Sequence, residues 1–279
     1  MKTITSISGG KTSAYLAAEY PSDYYIFSLV RTSNKSCLFP DKKLRQEVED
    51  RLQKEFIGTL EDDIIVTTLL DLEQFIGKKI TWVSGDTFDK VIENHSGYLP
   101  NKMARYCTTD LKTIPIAKWM HENKLNPLKM RFGYRANEQR RANNMTANLN
   151  DRGNVEVKIP IGKHSNGNTK WKVIDYQTPE FPLIKDSIFK DNIEEYWRFK
   201  PVQFAELNNC VGCHWRNELL LSKMFRLHPN KMEWFLNQEK NRKGTFKTGV
   251  TYEKIKSHKP QYELDFSDFS DCDSGYCGI

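Results

Sequence analysis

Two groups of residues in this chain carry chemistry by type and spacing. The first is Ser8-Gly9-Gly10-Lys11-Thr12-Ser13, set between an alternating segment, Lys2–Ile7, and a helix-forming one, Ala14–Glu19. A glycine turn between strand and helix aims successive backbone N–H groups and a helix N-terminus at one place, where an anion is stabilised. Gly9 and Gly10 permit close backbone approach, Lys11 adds a charge, and Ser8, Thr12 and Ser13 offer hydroxyls. The second group is the six cysteines: Cys37, Cys107, Cys210, Cys213, Cys272 and Cys277. In a cytoplasmic protein such a set argues for metal or redox chemistry rather than disulfides. Cys210-Val211-Gly212-Cys213 puts two thiols on one turn, able to share a metal ion or a cluster. A redox dithiol has the same spacing, but the flanks here are not those of a βαβ redox unit.

Cys107 stands between Arg105 and Lys112, cations that favour its thiolate. Cys272 and Cys277 lie close to the last residue, with Gly275 and Gly278 nearby, and are expected to be accessible, as a nucleophile must be. Arg135 directly follows the strand-like Lys129–Tyr134, and its planar fork suits phosphate oxygens. Arg140 and Arg141 fit a solvated helix face equally well, and Glu138 is placed to orient an arginine. Among the histidines only His214 adjoins the thiol pair, and it is read as a surface residue. Gly10-Lys11-Thr12 has the ending of a Walker A loop, but that pattern needs a glycine where Thr5 stands, which excludes it.

The elements that must position these groups follow from length and patterning. A chain of 279 residues, 38% hydrophobic and 28% charged, can build one large or two modest globular domains. No apolar run reaches the ~20 residues that span a membrane, and the N-terminus enters the first strand without a leader, so a cytoplasmic location is expected. The net charge of +6 is uneven, because residues 261–279 hold Glu263, Asp265, Asp268, Asp271 and Asp273 and no base. The remaining body is more basic than the total and suits phosphorylated ligands or nucleic acid. Strands are expected at Tyr24–Val30, Asp63–Thr68 and Lys129–Tyr134. Helices are expected at Asp41–Phe56, capped by Asp41, and at Asp71–Ile76, Asp191–Phe199, Asn217–Leu227 and Asn230–Gln238. Asn166-Gly167 marks a hairpin between Val155–Ile161 and Trp171–Ile174. The alternation predicts an α/β fold: a mostly parallel, twisted sheet with helices on both faces, and a ligand beyond the strand C-termini.

Several of these segments resemble one family. Ser8–Ser13 is similar to the PP-loop, SGGxDS, of the adenine nucleotide α-hydrolase-like superfamily, with Thr12 in place of its aspartate. Cys107-Thr108-Thr109-Asp110-Leu111-Lys112-Thr113-Ile114-Pro115 resembles the CCxxxKxxP segment of cluster-bearing adenylylsulfate reductases, with Thr108 replacing the second cysteine. Gly133, Arg135, Glu138 and Arg141 match a G-x-R-x-x-E-x-x-R segment of the reductase-like branch. Phe181–Asp186 resembles the PLI…D segment that closes the family's nucleotide-binding domain. Tyr276-Cys277-Gly278-Ile279 resembles the C-terminal ECGI(H) element, with Tyr276 replacing the glutamate and no final histidine. The order matches the phosphoadenosine phosphosulfate (PAPS) reductase family.

The resemblance implies a PP-loop domain over residues 1–187, a helical subdomain with the CxxC over 188–260, and an acidic cysteine-containing tail over 261–279. It implies that Ser8, Gly9, Gly10, Lys11, Thr12, Ser13, Arg135 and Arg141 hold nucleotide phosphates. It also implies catalytic roles for Cys277, Lys112 and Arg135, and metal ligation by Cys107, Cys210, Cys213 and Cys272. By analogy with the reductases a [4Fe–4S] cluster ranks ahead of zinc, although spacing admits either. Cys272 or Cys277 could be the fourth ligand, or three cysteines could leave one iron open. Three activities follow. In the first, Cys277 attacks the sulfur of adenylylsulfate or PAPS, and a thiol carrier such as thioredoxin releases sulfite. In the second, ATP, with Mg²⁺, adenylates a tRNA or DNA for cluster-dependent thiolation. In the third, the chain is a nucleotide-binding regulator with structural zinc.

Overall fold

Strand β1 (Thr3–Ile7) is the centre from which the architecture is built, because its apolar residues face both ways. A computed structural model describes residues 1–242 and 244–257. Five further strands complete one sheet: β2 (Tyr24–Ser28), β3 (Thr81–Val83), β4 (Leu128–Arg131), β5 (Val155–Lys163) and β6 (Thr169–Glu180). The order is β3-β2-β1-β4-β6-β5. All neighbours run parallel except β5, which pairs antiparallel with β6. The chain thus steps outward from β1 to β2 and β3, then crosses back to place β4 on the other side of β1. Such a reversal opens a crevice at the strand C-termini.

Helices cover the two faces. On one side α1 (Lys11–Glu19), α2 (Lys42–Leu52) and α3 (Ile64–Ile76) pack around Ile7, Tyr25 and Phe27. On the other side Ile4, Ile26 and Met130 meet Ile116, Ala117 and Met120. Those three residues lie on the third of the helices α4 (Phe88–Asn94), α5 (Tyr106–Thr108) and α6 (Ile114–Glu122). The chain continues through α7 (Gln139–Thr146), α8 (Pro182–Lys185) and α9 (Lys190–Trp197), whose Ile193 and Trp197 return to the core around α1 and α3. Finally α10 (Glu218–Leu227), α11 (Pro229–Asn241) and α12 (Tyr252–Ser257) build another core with Val30, Leu60, Phe88 and Leu111. Pro229 begins α11, where its missing N–H costs nothing. No helix among the described residues is long and apolar enough to cross a membrane.

Most expected elements form. Asp41 accepts hydrogen bonds from the backbone of Lys43 and Leu44 and starts α2, and the Asn166-Gly167 turn joins β5 to β6, with Gly167 at φ +83°. One assignment is corrected. Asp63–Thr68, expected as a strand, contains the first turns of α3, while the edge strand is the three-residue β3. The β-branched run Ile64–Thr68 suggests a strand, yet Ile65, Leu69 and Leu72 fall on one helical face and are buried. Thr68 Oγ1 lies within hydrogen-bond reach of two carbonyls, that of Gln203 at 2.6 Å and that of Ile64 within the helix at 2.8 Å. Tertiary burial outweighs the modest β preference.

Candidate functional site

The segments after β1 and β4 adjoin at the crevice between those strands. Gly9 takes φ +78°, and a Cβ there would lie 2.6 Å from Ile65 Cγ2, so only glycine fits this turn. Ser13 Oγ holds the loop: it accepts from the Ser8 backbone N–H at 3.1 Å and donates to the Gly10 carbonyl at 3.0 Å. Gly10 precedes α1 without any side-chain cap, leaving the first N–H groups of the helix to the crevice. A Cβ on Gly133 would lie 3.1 Å from Thr12 Cγ2, which sets the β4 loop directly against the glycine turn. Lys11 is turned towards α9: its ammonium pairs with Glu194 and its carbonyl accepts from Trp197 Nε1 at 3.0 Å.

Glu138 organises the arginine segment. Its carboxylate accepts from the Arg135 backbone N–H at 2.8 Å, from Arg135 Nε at 3.2 Å and from an Arg141 terminal nitrogen at 2.7 Å. The Arg141 guanidinium also lies 4.0 Å from the Tyr134 ring centre. Arg140 is exposed. One acid therefore orients both Arg135 and Arg141.

Three of the cysteines come together from distant segments. Cys107, Cys210 and Cys213 line one cavity of about 60 Å³ with Lys112, His214 and Trp215. Cys107 and Lys112 lie on a helix interrupted by a π-turn, Thr109–Thr113, a distortion that often re-aims functional side chains. The Leu111 carbonyl of that turn accepts from Ser28 Oγ at 2.8 Å, fixing the segment to the end of β2. Lys112 Nζ reaches Glu61 at 3.1 Å and the Asn209 side-chain oxygen at 3.3 Å. Glu61 is fully buried and also accepts from the Val30 backbone N–H at 3.2 Å. On the CxxC turn the Cys213 N–H donates to the Cys210 carbonyl at 3.1 Å. The Tyr252 hydroxyl donates to the Gly212 carbonyl at 2.9 Å.

The two halves touch. A Cβ on Gly10 would lie 2.2 Å from Asn208 Nδ2, and Asn208 stands two residues before Cys210. Arg216 secures that approach by donating to the carbonyls of both Asn208 and Cys210. Sequence reasoning did not find Glu61, Asn208 or Asn209. The only local signal is Asn209, which adopts φ +65°, a conformation asparagine tolerates better than most residues.

Electrostatics differ from expectation at two residues. The cations beside Cys107 do not yield a thiolate: burial pushes its thiol up to about 12, with Cys213 adding to the rise, and outweighs Arg105. Burial likewise raises Cys210, reinforced by Glu61. His214 is buried rather than on the surface, and burial, then Arg105, Lys247 and Lys102, lower it to about 4. Cys37 lies in the hydrophobic core with its thiol raised by burial to about 11.

Among the described residues no three His, Cys, Asp or Glu side chains converge to hold a single metal ion. The donor set is instead three soft thiols distributed around a shared cavity. Three thiols are soft donors that suit a zinc ion and an iron–sulfur cluster alike. Cys272 and Cys277, expected as fourth ligand and nucleophile, lie outside the described residues. Compared with protein-family models, curated proteins and solved structures, the chain matches none.

Proposed function

We propose that this chain is an adenine-nucleotide enzyme of sulfur chemistry, of the PAPS reductase type. The observation that supports the reading is the contact between Gly10 and Asn208, which sets the glycine turn beside a cavity lined by three cysteines. The turn supplies backbone N–H groups and a helix N-terminus to phosphate oxygens, and Arg135 and Arg141, oriented by Glu138, supply charge-assisted donors across the crevice. Lys112, fixed by Glu61 and Asn209, directs an ammonium to the junction of the two halves.

Cys107, Cys210 and Cys213 would hold a [4Fe–4S] cluster. When bound, such a group would supply redox capacity and a soft iron centre able to take a sulfur ligand. In sulfonucleotide reduction the Cys277 thiolate attacks the sulfonyl sulfur, the S–O bond to phosphate breaks, and the nucleotide leaves. An external dithiol then reduces the S-sulfocysteine, releasing sulfite and becoming a disulfide. The three-thiol lining favours a second reading, in which ATP adenylates an acceptor oxygen with loss of pyrophosphate. A sulfur nucleophile then displaces AMP.

Calorimetric titration with ATP, adenylylsulfate and PAPS separates the readings. The first expects a sulfonucleotide to bind at least tenfold tighter than ATP, the second the reverse. Absence of binding by all three overturns the nucleotide assignment. Anaerobic purification with visible absorption and iron and sulfide analysis tests the cluster, and a stoichiometric zinc content without iron overturns it.

A further inference from the structure

His214 adjoins Cys213, is 4% exposed, and alone among the described histidines lines the cavity of Cys107, Cys210 and Cys213. Its Nε2 is buried and has no hydrogen-bond partner among the described residues. Buried polar atoms are nearly always paired, so an orphan on a residue of a cavity wall calls for an explanation. Burial of that atom excludes a ligand that diffuses in and out. It suits a resident group, taken up as the fold closes around it. A ring nitrogen of imidazole is also the commonest protein ligand to a metal.

Two successive turns place the residue. The Cys213 N–H donates to the Cys210 carbonyl at 3.1 Å, and the Arg216 N–H donates to the Cys213 carbonyl at 3.0 Å. His214 is therefore the first central residue of the second turn, where neighbouring side chains need not alternate as they do on a strand. Lys247 Nζ donates to the carbonyls of His214, at 3.4 Å, and Arg216, at 2.8 Å, and so pins the backbone on both sides of Trp215. Arg105 and Lys102 lie 5.1 and 5.5 Å from the Trp215 ring centre. Cations thus gather around the turn, while no acidic residue lines the cavity. That field favours thiolates, the form that cysteine takes once it coordinates a metal.

We propose that His214 Nε2 is the fourth ligand of the metal group held by Cys107, Cys210 and Cys213. The inference rests on a metal group occupying the cavity and applies to a cluster or to zinc. Zinc accepts three cysteines and one histidine, and histidine replaces cysteine at some iron–sulfur centres. The tail cysteines, expected to complete the set, are then not needed as ligands, and Cys277 stays free to act as a nucleophile. A bridging water could also satisfy Nε2, but it would leave the metal indifferent to this side chain.

The test takes the full chain, purified anaerobically and analysed for iron, sulfide and zinc, and then reads nitrogen at the bound metal. Pulsed electron paramagnetic resonance reports it on a reduced iron centre, and imidazole scattering in X-ray absorption reports it on zinc. The wild-type centre should show a histidine nitrogen. His214→Ala should weaken retention of the metal against a chelator by more than the roughly 10–100-fold that loss of an outer-shell partner costs. His214→Cys should keep the metal, because a thiol takes the same position, and lose the nitrogen signal. Cys272→Ser and Cys277→Ser should keep both. The inference alone is overturned if bound metal shows no histidine nitrogen, if that signal survives in His214→Cys, or if His214→Ala retains metal as the wild type does. A wild-type chain that holds neither iron nor zinc overturns the metal reading itself, and the inference with it.

Discussion

The glycine turn and the thiol cavity meet at Asn208 but are held together in different ways. The turn is local: Ser8, Gly9, Gly10 and Ser13 fix one another through three hydrogen bonds of the Ser13 hydroxyl and one left-handed glycine within six residues. The cavity is assembled from afar: Cys107 and Lys112 come from the segment before α6, Glu61 from the segment before α3, and Cys210 and Cys213 from the segment before α10. A local device tolerates distant change and fails by its own glycines. A non-local one depends on the buried interactions that join its pieces, and the Glu61–Lys112 pair is the chief of these.

Breaking that pair should therefore have the largest effect. Lys112→Met leaves the fully buried Glu61 carboxylate without its cation, a change that costs about 3–5 kcal/mol in comparable sites. Urea unfolding should show this loss, and adding Glu61→Gln should recover at least half of it, because the two groups then no longer differ in charge. A loss below about 1 kcal/mol would mean that the cavity is not held by the pair.

The turn should be damaged most by Gly9→Ala. The substitution meets both the left-handed backbone and Ile65 Cγ2 at 2.6 Å, and together these cost about 2–4 kcal/mol. Nucleotide affinity should fall with stability, while alkylation of Cys107, Cys210 and Cys213 should be unchanged below the unfolding transition. Ser13→Ala removes the hydrogen bonds to Ser8 and Gly10 and should cost about 1–2 kcal/mol, with a several-fold loss of nucleotide affinity. Unaltered nucleotide affinity in both variants would separate the turn from ligand binding.

The same contrast explains what could be read from the sequence. The turn, the Asp41 cap, the Asn166-Gly167 hairpin and the parallel sheet are short-range patterns, and each forms as its residues indicate. Cys210 and Cys213 are legible as a pair because they share one turn. Cys107 joins them only through tertiary packing, which the family resemblance implies but spacing alone does not. Glu61 has no local signal: a glutamate after Gly58-Thr59-Leu60 looks like any surface acid until Lys112 and Val30 close around it. The misread Ile64–Thr68 segment fails for the same reason, since its helical face is defined by what packs on it. Charges near Cys107 were equally deceptive, because sequence neighbours give the sign of a field but not the depth at which it acts.

Lys11 offers the smallest and most discriminating test of the comparison. By sequence it is the turn's only charge, and a phosphate would be expected to use it. In the fold its ammonium is engaged with Glu194 on α9, and both side chains are more than a third exposed. Ion pairs of this kind contribute less than about 1 kcal/mol, so Lys11→Ala should scarcely change the unfolding midpoint. If backbone N–H groups and Arg135 carry phosphate binding, nucleotide affinity should also fall less than about threefold and remain salt-sensitive. A tenfold loss on Lys11→Ala, with stability intact, would show that Lys11 leaves Glu194 for the ligand. The turn would then work by a swung side chain rather than by its fixed backbone.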